Sequence, residues 1–282
     1  MWQCPLCPHS LETSGNSWTC ENNHTFDVAK AGYVNLLPVQ FKKSLQPGDD
    51  KAMLQARREF HARGSYAPLM HAMSELLLSH IPAEAPVTLF DAGCGEGAYL
   101  RHVDTALQEA NHDVHACGSD IAKVAVEMAS KQARHHQYVV ASSHQLPVRD
   151  NSVTAMLQVF APGKDSEYAR VLSEQGVLLT VDPGPEHLIE LKRAVYDTPK
   201  RHEAPASYTD ALRCVDEQQV NFNLTLQDPA HADALLAMTP YTWKLQPARR
   251  TALREELTQV TASFCIRLWT PDTHLQGVRD AG

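Results

Sequence analysis

A strand-turn-helix segment between Val87 and Leu100 constrains the fold more than any other part of the sequence. Val87–Phe90 is an apolar run with the length of a buried parallel strand, and a helical pattern begins after Gly97. Between them, glycine stands at every second position of Asp-Ala-Gly-Cys-Gly-Glu-Gly, which allows a tight turn and a close approach of the backbone to a ligand. A second acidic residue, Asp120, ends the next apolar run, about where a βαβ unit needs it. A glycine-rich turn without a ligand would not require that second residue.

This loop resembles the cofactor loop of S-adenosylmethionine (SAM)-dependent methyltransferases with a Rossmann-like fold. The resemblance implies that the loop passes the methionine end of SAM, and that Asp120 holds the ribose hydroxyls. It also implies that Ser142 and Ser143 border the adenine, although a plain polar turn is an equal alternative there. The loop residues that the resemblance assigns to the cofactor are Asp91, Gly93, Gly95, Glu96 and Gly97.

The first 26 residues carry two pairs of metal-ligand side chains. Cys4-Pro-Leu-Cys7 forms one knuckle, and Cys20 with His24 forms a second. Thiolate and imidazole groups at this spacing are typical of tetrahedral Zn²⁺, and a segment this short has almost no core without a metal. His9 is a rival fourth ligand, but His24 completes a knuckle that faces the first. We therefore predict one structural zinc ion held by Cys4, Cys7, Cys20 and His24, independent of the cofactor site.

The order of motifs before the glycine loop narrows the resemblance. The zinc knuckles are followed by AGYVNLLPVQ, a PGDD turn, a QARREF helix and GSYAPL, and the match continues to DPGPEHLIELK. This order is similar to that of the RlmA-type 23S rRNA (guanine-N1)-methyltransferases. The resemblance implies SAM as cofactor and a hairpin loop of 23S rRNA as partner, and it is compatible with a homodimer. It also places Tyr66 and His187 near the methionine end of SAM.

The charge distribution suggests how the chain meets RNA. The formal net charge is −8, yet Lys and Arg outnumber Asp and Glu between Lys30 and Arg63. A basic segment with interleaved aromatic residues can contact phosphates and stack on bases, although a solvated linker with an ordinary charge mix is the alternative. The residues that we predict to contact RNA are Lys30, Tyr33, Lys42, Lys43, Arg57 and Arg58.

Alternating apolar runs and helical patterns predict an α/β fold: a Rossmann-like, seven-stranded methyltransferase domain preceded by a small zinc-ribbon domain. We expect a zinc-binding domain at 1–34, a basic linker with helices at 35–85, and the methyltransferase domain at 86–282. The predicted strands are Val87–Phe90, Val114–Ser119, Tyr138–Ala141, Val153–Phe160, Val177–Val181, Val220–Leu226 and Val260–Trp269.

Two features indicate the compartment. The N-terminal MWQCPLCPHS has neither a basic leader nor an apolar core, and no apolar run reaches transmembrane length. The seven cysteines, an odd number without a signal sequence, favour reduced thiols. We expect a cytoplasmic protein with no membrane partner.

The functional hypothesis is methyl transfer from SAM to N1 of a guanine. The guanine N1 proton must leave, and Asp182 and His187 are the nearest candidates to accept it. Phe160 can stack on a base that has been turned out of its helix, although plain core is an equal alternative. Two other classes are a SAM enzyme acting on a small molecule and a zinc-ribbon binding module without activity. The former needs no zinc ribbon, and the intact loop with Asp120 argues against the latter.

Overall fold

The computed structural model describes residues 1–38, 48–196, 201–202, 211–239 and 245–272. Within these ranges the chain builds a three-stranded sheet and an eight-stranded sheet. Lys42 and Lys43, which we predicted to contact RNA, lie outside the described residues.

The three-stranded sheet belongs to the N-terminal zinc ribbon. It consists of β1 (Glu12–Ser14), β2 (Ser17–Thr19) and β3 (Thr25–Asp27), all antiparallel. The β1–β2 connection has only two residues, and Gly15 there has a φ of +60°, as tight hairpin turns require. The two cysteine-containing knuckles flank this hairpin.

The eight-stranded sheet organises the rest of the chain, with the strand order β10-β11-β9-β8-β5-β6-β7-β4. The six strands from β9 to β4 in this spatial order are all parallel to their neighbours. β11 is antiparallel to both β9 and β10. The strands are β4 (Val34–Asn35), β5 (Val87–Ala92), β6 (Val114–Asp120), β7 (Gln137–Val140), β8 (Val153–Val159), β9 (Leu172–Pro183), β10 (Leu212–Thr225) and β11 (Gln259–Pro271).

Helices cover the sheet and connect its strands. They are α1 (Lys51–Ala62), α2 (Ala67–Leu78), α3 (Ala98–Glu109), α4 (Lys123–Gln132), α5 (Asp165–Val171), α6 (Ile189–Val195), α7 (Pro229–Met238) and α8 (Pro247–Glu256). The carboxyl ends of β5 to β9 meet along one edge, which is where ligands bind in open α/β sheets.

The predicted fold class is confirmed, since all seven predicted strands are present. The structure adds β4 as an eighth strand, because Val34 and Asn35 pair in parallel with Val139 and Val140 of β7. The sequence suggested a loop there because prolines follow closely. We predicted neither α6 nor α8; only Leu253 of α8 is buried, so its apolar periodicity is weak.

The core lies on both faces of the large sheet, because alternate residues of each strand point to opposite sides. On β5, Leu89 belongs to the cluster packed under the helices, and its neighbour Phe90 belongs to the cluster on the other face. That second cluster includes Tyr168 of α5 and two tryptophans of the zinc ribbon, Trp2 and Trp18.

The N-terminal ribbon is therefore packed onto the eight-stranded sheet. The Trp2 ring lies 5.6 Å from the Trp18 ring and 6.0 Å from the Phe90 ring, centroid to centroid. Trp2 Nε1 donates a hydrogen bond of 2.6 Å to Gln137 Oε1 at the start of β7. Backbone bonds from Gln3 N to Pro147 O and from Arg149 N to Met1 O complete the junction. The domain boundaries that we predicted stay a prediction, but the two units share one apolar cluster.

In the described part of the chain, no helix is long and apolar enough to cross a membrane.

Candidate cofactor, metal and reaction site

The four predicted metal ligands come together. Cys4, Cys7, Cys20 and His24 have all their ligand atoms within 4.8 Å of one another. The Sγ atoms of Cys7 and Cys20 are 3.6 Å apart, and His24 Nδ1 lies 3.5 Å from the Sγ atoms of both Cys4 and Cys20. In a tetrahedral site with Zn–S bonds of about 2.3 Å, ligand atoms are separated by roughly 3.5–3.8 Å. The set thus fits one structural zinc ion without rearrangement.

The rival ligand is directed elsewhere. His9 Nδ1 lies 3.1 Å from Glu21 Oε2 on the surface of the ribbon. His24 is brought to the thiols by a tight turn in which Cys20 N donates to His24 O and Asn23, at a φ of +61°, donates its N–H to Cys20 O. The second knuckle therefore supplies the fourth ligand.

The glycine loop joins β5 to α3 in a conformation that side chains rarely adopt. Gly93, Gly95 and Gly97 have φ values of +89°, +54° and +82°. A Cβ on Gly93 would lie 2.4 Å from the Ala161 Cβ, so only glycine allows the loop to approach the end of β8. A Cβ on Gly95 would have no neighbour closer than 3.5 Å, so the loop backbone is open there. Such a cradle suits a ligand that approaches the main chain closely.

Asp91 is the penultimate residue of β5, directly before this loop, and has an unsatisfied carboxylate. The side chain is 1% exposed, and neither oxygen has a hydrogen-bond partner among the described residues. Burial, and next the negative charge of Asp120, raise the pKa of Asp91 to about 8. A buried acceptor without a partner requires an explanation, and a cationic group of a ligand at this loop would supply one.

Asp120 ends β6 beside the loop, as predicted. Its two carboxylate oxygens accept hydrogen bonds from the backbone N–H groups of Gly95, at 2.9 Å, and Ala122, at 2.8 Å. Burial raises the pKa of Asp120 above its ordinary value, because its effect is larger than that of the two hydrogen bonds, which lower the pKa. The carboxylate is thus held rigidly against the loop with lone pairs left for ribose hydroxyls.

The two predicted serines after β7 differ in their contacts. Ser143 Oγ donates a 2.6 Å hydrogen bond to the carbonyl of Pro162 and so ties this turn to the end of β8. Ser142 Oγ accepts from His144 N at 3.3 Å and lines a cavity beside the turn. The structure therefore leaves Ser142 as the serine facing open space.

Aromatic rings cluster at the carboxyl ends of β8 and β9. Phe160 has a large apolar side chain and is nevertheless 43% exposed. Its φ is +53°, in the left-handed region. The centroid of the Phe160 ring lies 6.3 Å from that of Tyr99 and 6.4 Å from that of His187. The planes of the Phe160 and His187 rings are only 20° apart. Tyr66 lies 6.2 Å from His187 in the same cluster. An exposed aromatic residue in a strained conformation is unusual in a core and typical of a functional site.

His187 is buried and its ring accepts a backbone hydrogen bond. Its Nδ1 accepts a hydrogen bond of 3.3 Å from the backbone N–H of Ser263. Burial, together with nearby His202 and Lys192, lowers the pKa of His187 to about 3. The lowered pKa favours the neutral ring, and with Nδ1 accepting this hydrogen bond the ring proton is on Nε2. The predicted role of His187 as proton acceptor stays a prediction.

Asp182, the other predicted proton acceptor, forms an ion pair with Arg267. Arg267 Nη2 donates to Asp182 Oδ2 at 3.1 Å, and the Arg267 guanidinium lies over the Trp269 ring at 4.9 Å. No hydrogen bond or ion pair within the described ranges joins Asp182 to His187. Asp182 thus lies at the predicted sheet edge but outside the aromatic cluster.

A buried ion-pair group behind the loop was not predicted. Glu96 is 2% exposed and contacts His61 Nδ1 at 3.0 Å and Arg101 Nη2 at 3.1 Å. These two partners hold the pKa of Glu96 below its ordinary value even though burial raises it. The Glu96 carboxylate is directed to His61 of α1 and Arg101 of α3, and the cofactor contact that we predicted for Glu96 stays a prediction. No sequence signal pointed to His61, because its partner is 35 residues away.

The predicted RNA-contacting residues are distributed differently from our expectation. Lys30 and Arg58 are exposed. Tyr33 is only 5% exposed and packs in the core, so its ring is not accessible to a base. Arg57 forms a 2.6 Å ion pair with Asp49, and its Nη1 lies 3.5 Å from where a Gly95 Cβ would stand. Arg57 therefore belongs to the rim of the cofactor loop.

Comparisons with known proteins agree with this geometry. The family described as "RlmA, N-terminal" matches residues 2–45, and the family described as "Methyltransferase domain" matches residues 90–180. The glycine loop after β5, the acidic residue ending β6 and the four-ligand ribbon define the chain as a Rossmann-like, SAM-dependent methyltransferase with an N-terminal zinc ribbon.

Curated relatives match nearly the whole length. A putative 23S rRNA (guanine-N1)-methyltransferase of Bacillus subtilis is 31% identical, covering 90% of this chain and 91% of its own. A 23S rRNA (guanine(748)-N1)-methyltransferase of Streptomyces fradiae is 32% identical, covering 95% and 96%. A putative 23S rRNA (guanine-N1)-methyltransferase of Micromonospora griseorubida is 30% identical, covering 94% of this chain and 95% of its own. The chain belongs to the family of 23S rRNA (guanine-N1)-methyltransferases.

Proposed function

We propose that this protein transfers the methyl group of SAM to N1 of a guanine in a hairpin loop of 23S rRNA. The observation that carries the proposal is the end-to-end similarity to guanine-N1 methyltransferases, which includes the zinc ribbon and the cofactor loop together. A small-molecule methyltransferase, the alternative from the sequence, has no need of the ribbon.

The cofactor contacts that we propose follow from the described geometry. The open backbone at Gly95 accommodates the methionine end, the partnerless carboxylate of Asp91 accepts its ammonium group, and Asp120 accepts the ribose hydroxyls. Tyr66 and His187 border the same end. When bound, SAM supplies a methyl group already activated on a sulfonium, so the protein's main task is alignment.

Phe160 is the proposed platform for the target base. A guanine in a loop must leave its stack to reach an enclosed site, and an exposed aromatic ring compensates for the lost stacking. The exposed fraction of 43% and the neighbouring rings of Tyr99 and His187 leave one side of Phe160 open for this purpose.

The proton on guanine N1 defines the roles of the polar residues at this edge. His187, with its proton on Nε2, can donate a hydrogen bond to guanine O6, which favours loss of the N1 proton. Asp182 remains the proposed acceptor of that proton, because it lies at this edge of the sheet and its side chain is 37% exposed.

RNA docking is proposed for the zinc ribbon and the basic segment beside it. Lys30 and Arg58 are exposed, and Lys42 and Lys43 complete the set in sequence. The proposal includes a cytoplasmic location, which the rRNA-modifying relatives support, and the homodimer with which the resemblance is compatible.

The test uses rRNA that lacks the modification. Ribosomal RNA and a metabolite extract, both from a strain deleted for the gene, are incubated in separate reactions with the protein and labelled SAM. Primer extension on the rRNA then maps the stops that N1-methylguanine causes. We expect one new stop, at a guanine in a hairpin loop, with wild type and none with Asp120→Ala. Label recovered only in a metabolite fraction, with no stop on rRNA, would show that the substrate is a small molecule.

A further inference from the structure

A cavity of about 840 Å³ lies between the zinc ribbon and the methyltransferase sheet. One wall is the first zinc knuckle, from Cys4 to Pro8. The opposite wall is the turn after β7, including Ser142 and Leu146, and the remaining sides come from Leu36–Pro38 and Ile121.

The position of this cavity relative to Asp120 identifies its occupant. Ile121 follows Asp120 directly in the chain, and Ala141 and Ser142 follow the adjacent strand β7. A ribose held by the Asp120 carboxylate would therefore carry its base beside these residues, which line the cavity. Apolar side chains of Leu36, Ile121 and Leu146 suit the faces of a flat purine, and polar groups in the lining suit its edge.

We propose that the first zinc knuckle forms one wall of the adenine pocket, so that zinc binding and SAM binding are coupled. This proposal rests on the assignment of SAM to the Asp120 loop. It differs from the expectation that the sequence suggested, in which the metal and cofactor sites are independent.

The knuckle is positioned by the metal and by the sheet together. Cys4 and Cys7 both line the cavity and both belong to the zinc site. Pro5 and Leu6 lie between them, so their placement depends on the closed knuckle. On the other side, the backbone bond from Gln3 N to Pro147 O fixes the knuckle against the wall that faces it.

Leu6 is the side chain of this wall that most suggests a missing contact. It is 50% exposed, one of few large apolar side chains in the described residues that face solvent. Its position on the cavity lining means that a purine would cover it. Loss of zinc would release the loop that carries Leu6 and open the pocket on that side.

The test compares matched changes within the ribbon. Leu6→Asp places a charge on the cavity wall, whereas Thr13→Asp places the same charge on exposed strand β1, away from the cavity lining. Isothermal titration calorimetry measures binding of SAM and of the adenine-bearing fragment 5′-methylthioadenosine, and elemental analysis measures zinc. We expect Leu6→Asp to weaken both ligands by about tenfold or more, equivalent to losing the burial of one apolar side chain, with zinc retained and Thr13→Asp unchanged.

A second measurement removes the metal from the whole wild-type protein with a chelator. We expect SAM affinity to fall by at least about tenfold and to recover when Zn²⁺ is restored. SAM affinities equal within twofold for Leu6→Asp and Thr13→Asp would overturn the proposal, as would unchanged affinity after zinc removal. If Leu6→Asp weakened only RNA binding, the cavity would belong to RNA and the proposal would be wrong.

The Asp120→Ala variant distinguishes a failure of the zinc coupling from a failure of the cofactor assignment. If this variant loses SAM while Leu6→Asp keeps it, the cofactor assignment holds and the coupling fails. If wild type does not bind SAM at all, the proposed function fails as well.

Discussion

Replacing Asp91 with asparagine is expected to make the ligand-free protein more stable while weakening its affinity for SAM. Asp91 is completely enclosed at the end of β5, and neither of its oxygens has a hydrogen-bond partner in the described structure. Burial raises its pKa from 3.8 to about 8, so the ligand-free fold favours the protonated, neutral carboxyl. Asparagine has nearly the same shape as that neutral form and does not ionise.

The size and the pH dependence of the effect follow from linkage. Because the folded-state pKa is raised, the stability associated with the neutral carboxyl is fully present below pH 3.8 and is lost as the pH rises toward 8. At pH 7 the unfolded chain has released a proton that the folded chain retains. At about 1.4 kcal/mol per pH unit over roughly three units, the difference is on the order of 4 kcal/mol.

The assay is thermal unfolding of wild type and Asp91→Asn at pH 5, 6, 7 and 8, with and without SAM. We expect the melting temperature of the variant, relative to wild type, to rise steadily with pH in the absence of SAM. With SAM, wild type should gain stability in proportion to ligand occupancy, and the variant should gain little. A difference between the proteins that is the same at every pH would refute the raised pKa, and undiminished SAM stabilisation of the variant would refute the ammonium contact.

Three further predictions concern the other parts of the site. Phe160→Ala should raise the KM for an rRNA hairpin by about tenfold, since one stacked base contributes about 1–3 kcal/mol, and leave SAM affinity unchanged in calorimetry; an unchanged KM would exclude Phe160 as the base platform. Cys20→Ser should lose zinc in elemental analysis and lower the melting temperature of the whole chain, because the ribbon shares a core with the sheet; a methyltransferase transition that stays at its wild-type temperature would contradict this. Lys30→Glu combined with Arg58→Glu should reduce the salt dependence of RNA binding by about one unit per lost phosphate contact. Parallel salt titrations of this variant and wild type would remove both residues from the docking surface.

The sequence was most informative where function depends on consecutive residues. The glycine loop, Asp120 at the end of β6 and the two zinc knuckles each set their geometry through local spacing, and all lie where we predicted them. Five of the seven predicted strands, those in β5 to β9, were recognisable for a similar reason, because buried parallel strands are short apolar runs.

Features that depend on contacts between residues far apart in the sequence could not be predicted from local spacing. Tyr33 is an aromatic residue in a basic segment, which suggests base stacking, but tertiary packing buries it. Arg57 has the charge of a phosphate contact, but Asp49 and the loop at Gly95 determine where it lies. The pairing of His61 with Glu96 joins α1 to the cofactor loop, and no local pattern records which carboxylate a histidine will meet.

The position of the zinc ribbon has a physical reason that the sequence also concealed. The face of the sheet that carries Phe90 needs an apolar cover, and α5 supplies only seven residues of helix. Trp2 and Trp18 complete that cover, so the ribbon replaces part of a helical layer rather than standing apart as an RNA-binding appendage. Burial of two tryptophans contributes several kcal/mol to holding the ribbon in place. The same packing brings the first knuckle to the turn after β7, so the contact that stabilises the fold also sets the width of the cavity next to Asp120.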